Sequence, residues 1–239
     1  MLKTTIEQVT QISFLPHLFP INVYLVEESD GVTLIDAGMS FSQKGILQAA
    51  ADTGKPIKRI VLTHAHGDHV GALDGLKKEL PNASVCISRR DALLLKGSAE
   101  LQPGEPQTPI RGDIPKNITT VPDVLLEDGD SIGSLKAIAT PGHTPGHMAF
   151  LDERSGILIA GDAWQTHGGL AVSGVMKPWF PFPAMATWSK EQALESAGML
   201  TALKPAVLAV GHGRMLRNPA GAMQQAVTVA ESTLRRNAR

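Results

Sequence analysis

His64-Ala65-His66-Gly67-Asp68-His69 sets three imidazoles and a carboxylate within six positions, directly after the apolar run Ile60-Val61-Leu62-Thr63. Imidazole and carboxylate are the side chains that bind zinc or iron outside thiolate sites. In extended backbone the side-chain period is two, so His64 and His66 project to one side and can grip one metal. Asp68 and His69 follow where the chain leaves the strand, and can turn toward a second metal. The competing explanation is a solvated loop that holds histidines by chance. It does not account for so dense a ligand run between a strand and an amphipathic segment.

Outward from this stretch, other polar residues fall where strands end. Val32-Thr33-Leu34-Ile35 is followed by Asp36, and Ala137-Ile138-Ala139-Thr140 by Pro141-Gly142-His143. Ile157-Leu158-Ile159-Ala160-Gly161 leads to Asp162, and Val207-Leu208-Ala209-Val210-Gly211 to His212. Strands packed side by side can bring such ends to one edge. Gly142, Gly161 and Gly211 remove side-chain bulk just before each ligand and permit close backbone approach.

The remaining periodicity supplies the frame. Ile21–Glu28 and Val32–Ile35 read as strands, joined by a turn at Asp30-Gly31. Lys58–Thr63 and Ser84–Ser88 are further strands, with helices over Ser40–Asp52, Val70–Leu80 and Arg90–Lys96. Gly97–Pro122, rich in proline, glycine and polar residues, reads as a surface excursion with little regular structure. The second half repeats the theme. Leu135–Ala139, Met148–Leu151, Ile157–Ala160 and Ala206–Val210 are short strands, and Ser189–Leu203 and Asn218–Arg236 are helices. Ser189 is the expected cap, with Gln192 three residues on. Strands then helix in each half predicts an α+β fold, two mixed sheets face to face with helices on the outer faces. No linker is evident, so residues 1–239 read as a single domain.

Taken together, Leu34-Ile35-Asp36-Ala37-Gly38, Thr63 to His69, Thr140-Pro141-Gly142-His143-Thr144-Pro145-Gly146, Gly161-Asp162 and Gly211-His212 resemble the metallo-β-lactamase superfamily, over about Asn22 to His212. The resemblance implies a four-layer αβ/βα sandwich with two metals at one edge. By motif position, His64, His66 and His143 would hold the first metal. Asp68, His69 and His212 would hold the second, and Asp162 would bridge them. Asp36 would orient ligands or solvent; its alternative is a turn residue at a strand end.

Two Zn2+ ions are the expected cofactors, with iron or manganese as substitutes. The chemistry expected of them is hydrolysis by a metal-bound hydroxide, on a small ester, thioester, lactone or related carbonyl compound. Asp68 would also handle a proton as the intermediate collapses. The chain looks closest to the glyoxalase II-like group, although little more than one helix follows His212, where that group appends a basic helical region. Cys86 lies far from Gly161-Asp162, which argues against the β-lactamases with a cysteine ligand. The sole tyrosine, Tyr24, is not where the acyl-homoserine-lactone lactonases carry theirs. An iron oxidoreductase of the persulfide dioxygenase kind is the alternative, since the same donors suit iron. A metal-stabilised, non-catalytic binding module is a third reading.

Other residues support weaker expectations. Trp164, His167, Trp179 and Phe180 are candidate substrate contacts, the last two in the aromatic, proline-rich stretch Met176–Met185. That stretch reads equally as a substrate wall or as a homodimer contact. His147 reads as hydrogen-bonded near the site, and His17 as a surface residue. Cys86, the only cysteine, reads as a small buried side chain. A net charge of −1 with no basic stripe argues against a nucleic-acid partner. No run approaches the roughly 18 apolar residues of a membrane span, and no apolar leader is evident. The expected partner is a small molecule, and the expected location the cytoplasm.

Overall fold

Alternation runs through strands that are buried on both faces, which requires a layer on each side. The computed structural model describes residues 1–237. One sheet has the order β1-β2-β3-β4-β5-β6-β7. Its strands are β1 (Leu2–Ile6), β2 (Val9–Phe14), β3 (Ile21–Glu27), β4 (Val32–Ile35), β5 (Ile57–Val61), β6 (Ser84–Ser88) and β7 (Val124–Leu126). The first four pair antiparallel, and β4 to β7 run parallel.

The second sheet draws on β8 (Ser131–Ile132), β9 (Leu135–Ala139), β10 (Met148–Asp152) and β11 (Ile157–Ile159). A two-stranded ribbon, β12 (Trp164–Gln165) with β13 (Ala171–Val172), stands apart. β14 (Val207–Ala209) and β15 (Leu216–Arg217) complete the order β15-β14-β11-β10-β9-β8. The second sheet is mixed like the first: β11 and β14 run parallel while its other pairs are antiparallel.

Three apolar layers hold these sheets. Between them, Tyr24, Val26, Ile35 and Val61 meet Leu135, Phe150, Ile159 and Ala209. Neighbouring strand positions point the other way: Val23, Leu25, Leu34 and Ile60 pack under α1 (Gln43–Ala51), α3 (Leu73–Glu79) and α4 (Asp91–Leu95). A short helix, α2 (Gly67–Val70), precedes α3, and α5 (Phe182–Ala186) precedes the long pair. Leu158 and Leu208 pack under that pair, α6 (Lys190–Ala202) and α7 (Ala220–Asn237). The result is the expected four-layer sandwich. The Ser189 side chain accepts from Gln192 N and caps α6, as its spacing predicts. No described helix is long and apolar enough to cross a membrane.

The structure differs from the sequence reading at several elements. The helix expected over Val70–Leu80 is two, α2 and α3, broken at Gly71-Ala72. The pair β1 and β2, and the small helix α5, have no periodic signal that stands out. Gly97–Pro122 has no helix or strand, as expected, but it folds back so that Ile110, Ile114 and Ile118 pack on the core.

Cys86 sits between the sheets, and burial pushes its thiol up to about 11. Only the thiolate reacts, so alkylation by iodoacetamide at neutral pH is expected to require unfolding. Labelling of the native chain at the rate seen in denaturant would contradict this placement.

Candidate metal centre

Strand direction explains where the polar residues meet. β4 and β5 run parallel in one sheet, and β11 and β14 run parallel in the other, so their C-terminal ends share an edge. β9 points the same way as β11, because each is antiparallel to β10. Asp36, His64, His143, Asp162 and His212 all follow those ends.

Five imidazoles converge there, and each is tied at one nitrogen. The Thr63 hydroxyl donates to Asp36 Oδ2 at 2.8 Å, so it accepts from His64 Nδ1 at 3.0 Å. His69 Nδ1 donates to the same Asp36 oxygen at 2.8 Å. His212 Nδ1 donates to the Pro20 carbonyl at 2.7 Å, and His66 Nε2 to the Arg111 carbonyl at 2.9 Å. Thr187 donates to Pro183 O, which obliges Ser173 to donate to Thr187 and His143 Nδ1 to donate to Ser173. These partners fix the tautomers. They leave Nε2 of His64, His69, His143 and His212, and Nδ1 of His66, as the nitrogens aimed inward, each able to coordinate when it carries no proton.

The inward atoms fit a cation. His64 Nε2, His69 Nε2 and Asp162 Oδ1 are buried with no hydrogen-bond partner. His66 Nδ1 and His143 Nε2 lie 3.0 Å apart, two lone pairs that need a positive charge between them. Asp162 sits at the centre: its carboxylate is 3.4 Å from His69 Nε2, 3.4 Å from His143 Nε2 and 3.0 Å from His212 Nε2. Asp68 Oδ2 is 3.4 Å from His212 Nε2 and 3.9 Å from His69 Nε2. Two ligand atoms at tetrahedral positions around zinc lie about 3.4 Å apart. Three groups satisfy mutual ligand distances within 4.8 Å: His64 with His66 and His143, His64 with His69 and Asp162, and Asp68 with His69 and His212.

Charge follows geometry. Burial drives His64 well below the ordinary histidine range, helped by its imidazole neighbours. Burial does the same to His143 against the pull of Asp162. His69 is buried too, but the carboxylates of Asp162, Asp36 and Asp68 outweigh burial and raise it well above that range. His212 is raised likewise, mainly by Asp162 against burial. Burial alone would raise Asp162; His212 and His69 hold it well below the carboxylate range instead.

Two local features make the approach possible. A Cβ at Gly211 would collide with Asp162 Oδ1 and stand 2.8 Å from His69 Cε1, so only glycine fits there. Asp36 adopts φ +62°, a left-handed conformation uncommon for a side-chain-bearing residue. Its oxygens thereby take the Thr63 backbone N–H as well as the Thr63 hydroxyl and His69. The turn geometry and the orienting contacts are therefore one arrangement.

His147 has no nitrogen to offer a metal. Its Nδ1 pairs with Thr140 Oγ1, and its Nε2 accepts from the Asp162 backbone N–H at 3.1 Å. Burial lowers it to about 3, so it stays a neutral support under Asp162.

The expected substrate contacts need correction. Trp164 is fully buried against α6 and α7, because the β12–β13 ribbon turns its ring inward. Trp179 is 88 % exposed and lies off the cavity at the metal edge. His167 stacks edge-on to Phe180 and lines a separate cavity with His17 and Arg214. Phe180 is buried and backs the His212 ring, centroids 5.2 Å apart, without lining the cavity. Phe19, Phe41, Phe182 and Met185 line it instead.

Sequence reasoning also missed Asp91. It is buried, and accepts from Ala65 N at 3.1 Å, Thr144 Oγ1 at 2.7 Å and Gly146 N at 2.8 Å. One carboxylate thus clasps the His64–His69 turn to the loop carrying His143. The signal was available: Asp91 follows β6, the strand beside β5, just as the other polar residues follow theirs.

A family model described as the metallo-beta-lactamase superfamily matches residues 18–212. The chain is 58 % identical over 228 residues to an uncharacterized protein, YobT, of Bacillus subtilis (strain 168), covering 95 % of this chain and 98 % of that one. It is 32 % identical over 212 residues to the probable metallo-hydrolase YflN of the same organism, covering 80 % of each. Among solved structures it resembles TTHA1623 in a di-iron-bound form, with TM-score 0.65 and 28 % identity, covering 89 % of this chain and 96 % of that one.

Proposed function

Because this chain belongs to the metallo-beta-lactamase superfamily, we propose that it is a binuclear zinc hydrolase of small esters, thioesters or lactones, of the glyoxalase II-like kind, acting in the cytoplasm. The observation that carries the reading is the convergence of five singly tied imidazoles on Asp162 and Asp68. The edge offers donor groups enough for two cations. When bound, two such cations acidify a water and polarise the carbonyl under attack.

The chain's own residues supply the rest. Asp36, Ser173, Arg111 O and Pro20 O hold the imidazoles against rotation, so little reorganisation accompanies reaction. Water adds to the carbonyl carbon, the bond to the alkoxide or thiolate breaks, and a proton passes to the leaving group. Asp68 is placed for that transfer, because it lines the cavity and its side chain is 22 % exposed where Asp162 is buried.

Protein purified without chelator is expected to carry about two metal ions per chain and to hydrolyse p-nitrophenyl esters or lactones. Chelation should abolish turnover, and Zn2+ should restore it. Less than one ion per chain, or no turnover of any ester, thioester or lactone, would reject the reading. The di-iron form of TTHA1623 favours one second reading, an iron oxidoreductase. Oxygen consumption by the iron-loaded protein with a persulfide, and no ester hydrolysis by the zinc-loaded one, would select it.

A further inference from the structure

The cavity over the metal ligands has a volume of about 550 Å³, the size of a site for a small organic molecule. Its floor is His66, Asp68, His143, Asp162 and His212. Its walls are apolar: Leu15 and Phe19 from the loop after β2, Met39 and Phe41 from the turn after β4, and Phe182 and Met185 from α5. Among the described residues no lysine or arginine lines it. Beyond the floor, its only charged group is the Asp113 carboxylate, set against Gly67 at the rim.

From this lining, and resting on the hydrolase reading above, we propose that the non-reacting part of the substrate is an uncharged apolar acyl chain, and that the cavity rejects acyl chains ending in a carboxylate. Phe41, Phe182 and Met185 are 54 %, 51 % and 59 % exposed around one opening. Large apolar side chains grouped at a cavity mouth mark a surface that a ligand covers. The cavity is continuous with the ligand cluster, so an alkyl chain along its wall delivers its ester carbonyl to the floor. A carboxylate on that chain would lose its hydration without meeting a cation, and would face Asp113. The wall is also linked to the floor. Thr187, at the end of α5, hydrogen-bonds Pro183 O within that helix, and through Ser173 sets the His143 ring.

The test compares p-nitrophenyl acetate, butyrate and octanoate with the octanedioic acid mono-ester on the metal-loaded protein. kcat/KM is expected to rise about fiftyfold from acetate to octanoate, and to fall about a hundredfold when octanoate gains its terminal carboxylate. Met185→Asp should erase most of the rise with length. Asp113→Lys should narrow the gap between the octanoate ester and the octanedioic acid mono-ester by about tenfold. A second readout needs no turnover: calorimetric binding of uncleavable 2-nonanone should be much tighter than that of acetone. Length-dependent ketone binding without ester hydrolysis would uphold the apolar subsite and remove the hydrolase reading. Hydrolysis indifferent to chain length and terminal charge would keep the hydrolase and overturn the subsite. So would a stable dimer, seen by sedimentation, in which Met185→Asp dissociates the copies but leaves length preference untouched.

Discussion

Asp162→Ala is expected to lower metal content below one ion per chain and hydrolysis by on the order of a thousandfold or more. Its carboxylate is the one group within 3.4 Å of His69, His143 and His212 together. Asp68 reaches only two of these rings, His212 at 3.4 Å and His69 at 3.9 Å. Removing it leaves imidazole lone pairs around a buried space that carries less negative charge, and a pair of dications there would repel with nothing shared between them. Asp162→Asn keeps the volume and separates charge from packing; it should lose nearly as much metal. The same carboxylate sets the pH dependence. His69 and His212 are raised by it, so in metal-free protein they hold protons where a cation would bind. Raising the pH removes those protons, and metal affinity is expected to increase with pH through the range in which they titrate. A chelator-competition series on wild type and both variants checks each point. Full metal content in Asp162→Ala would overturn the bridging role.

The site was legible where its residues obey a local rule. His64 and His66 are two apart on extended backbone, and Asp162 and His212 each end an apolar run, so strand periodicity points to them before any coordinates exist. Parallel β11 and β14 then carry those ends to one edge. Trp164 was misread because a two-residue strand has no period from which to assign its face; the ribbon with Val172 directs it into the core. The aromatic stretch 176–185 contributed Phe182 and Met185 to the cavity but turned Phe180 under His212 and Trp179 into solvent. Composition cannot sort neighbours in an irregular segment. Residues 97–122 hid their role for a related reason. Besides the Asp113 side chain at the cavity rim, they touch the site through the backbone, with Arg111 O on His66 and Asp113 O accepting from Gly67 N, and a carbonyl contact leaves no trace in side-chain type.

Asp91→Ala should destabilise the protein by about 4 kcal/mol, because three buried donors lose their acceptor and each unmet group costs roughly 1–3 kcal/mol. That is a large part of the stability of an ordinary domain. The donors belong to two different ligand loops: Ala65 N lies between His64 and His66, while Thr144 and Gly146 follow His143. Loosening the clasp would move His143 away from His64 and His66, three imidazoles within mutual ligand distance, so metal affinity at that position should fall about ten- to a hundredfold. Asp91→Asn distinguishes the clasp from general destabilisation. Its amide oxygen can still accept from Gly146 N, but its NH2 then faces the Ala65 N–H, donor against donor. The variant should keep most of its thermal stability yet lose affinity for one metal in preference to the other. Burial raises the Asp91 carboxyl against the pull of those three hydrogen bonds, so donors from both loops favour its charged form. Equilibrium unfolding and stepwise metal titration of both variants measure the two effects separately. An Asn variant that binds both metals as tightly as wild type would reduce Asp91 to a packing role.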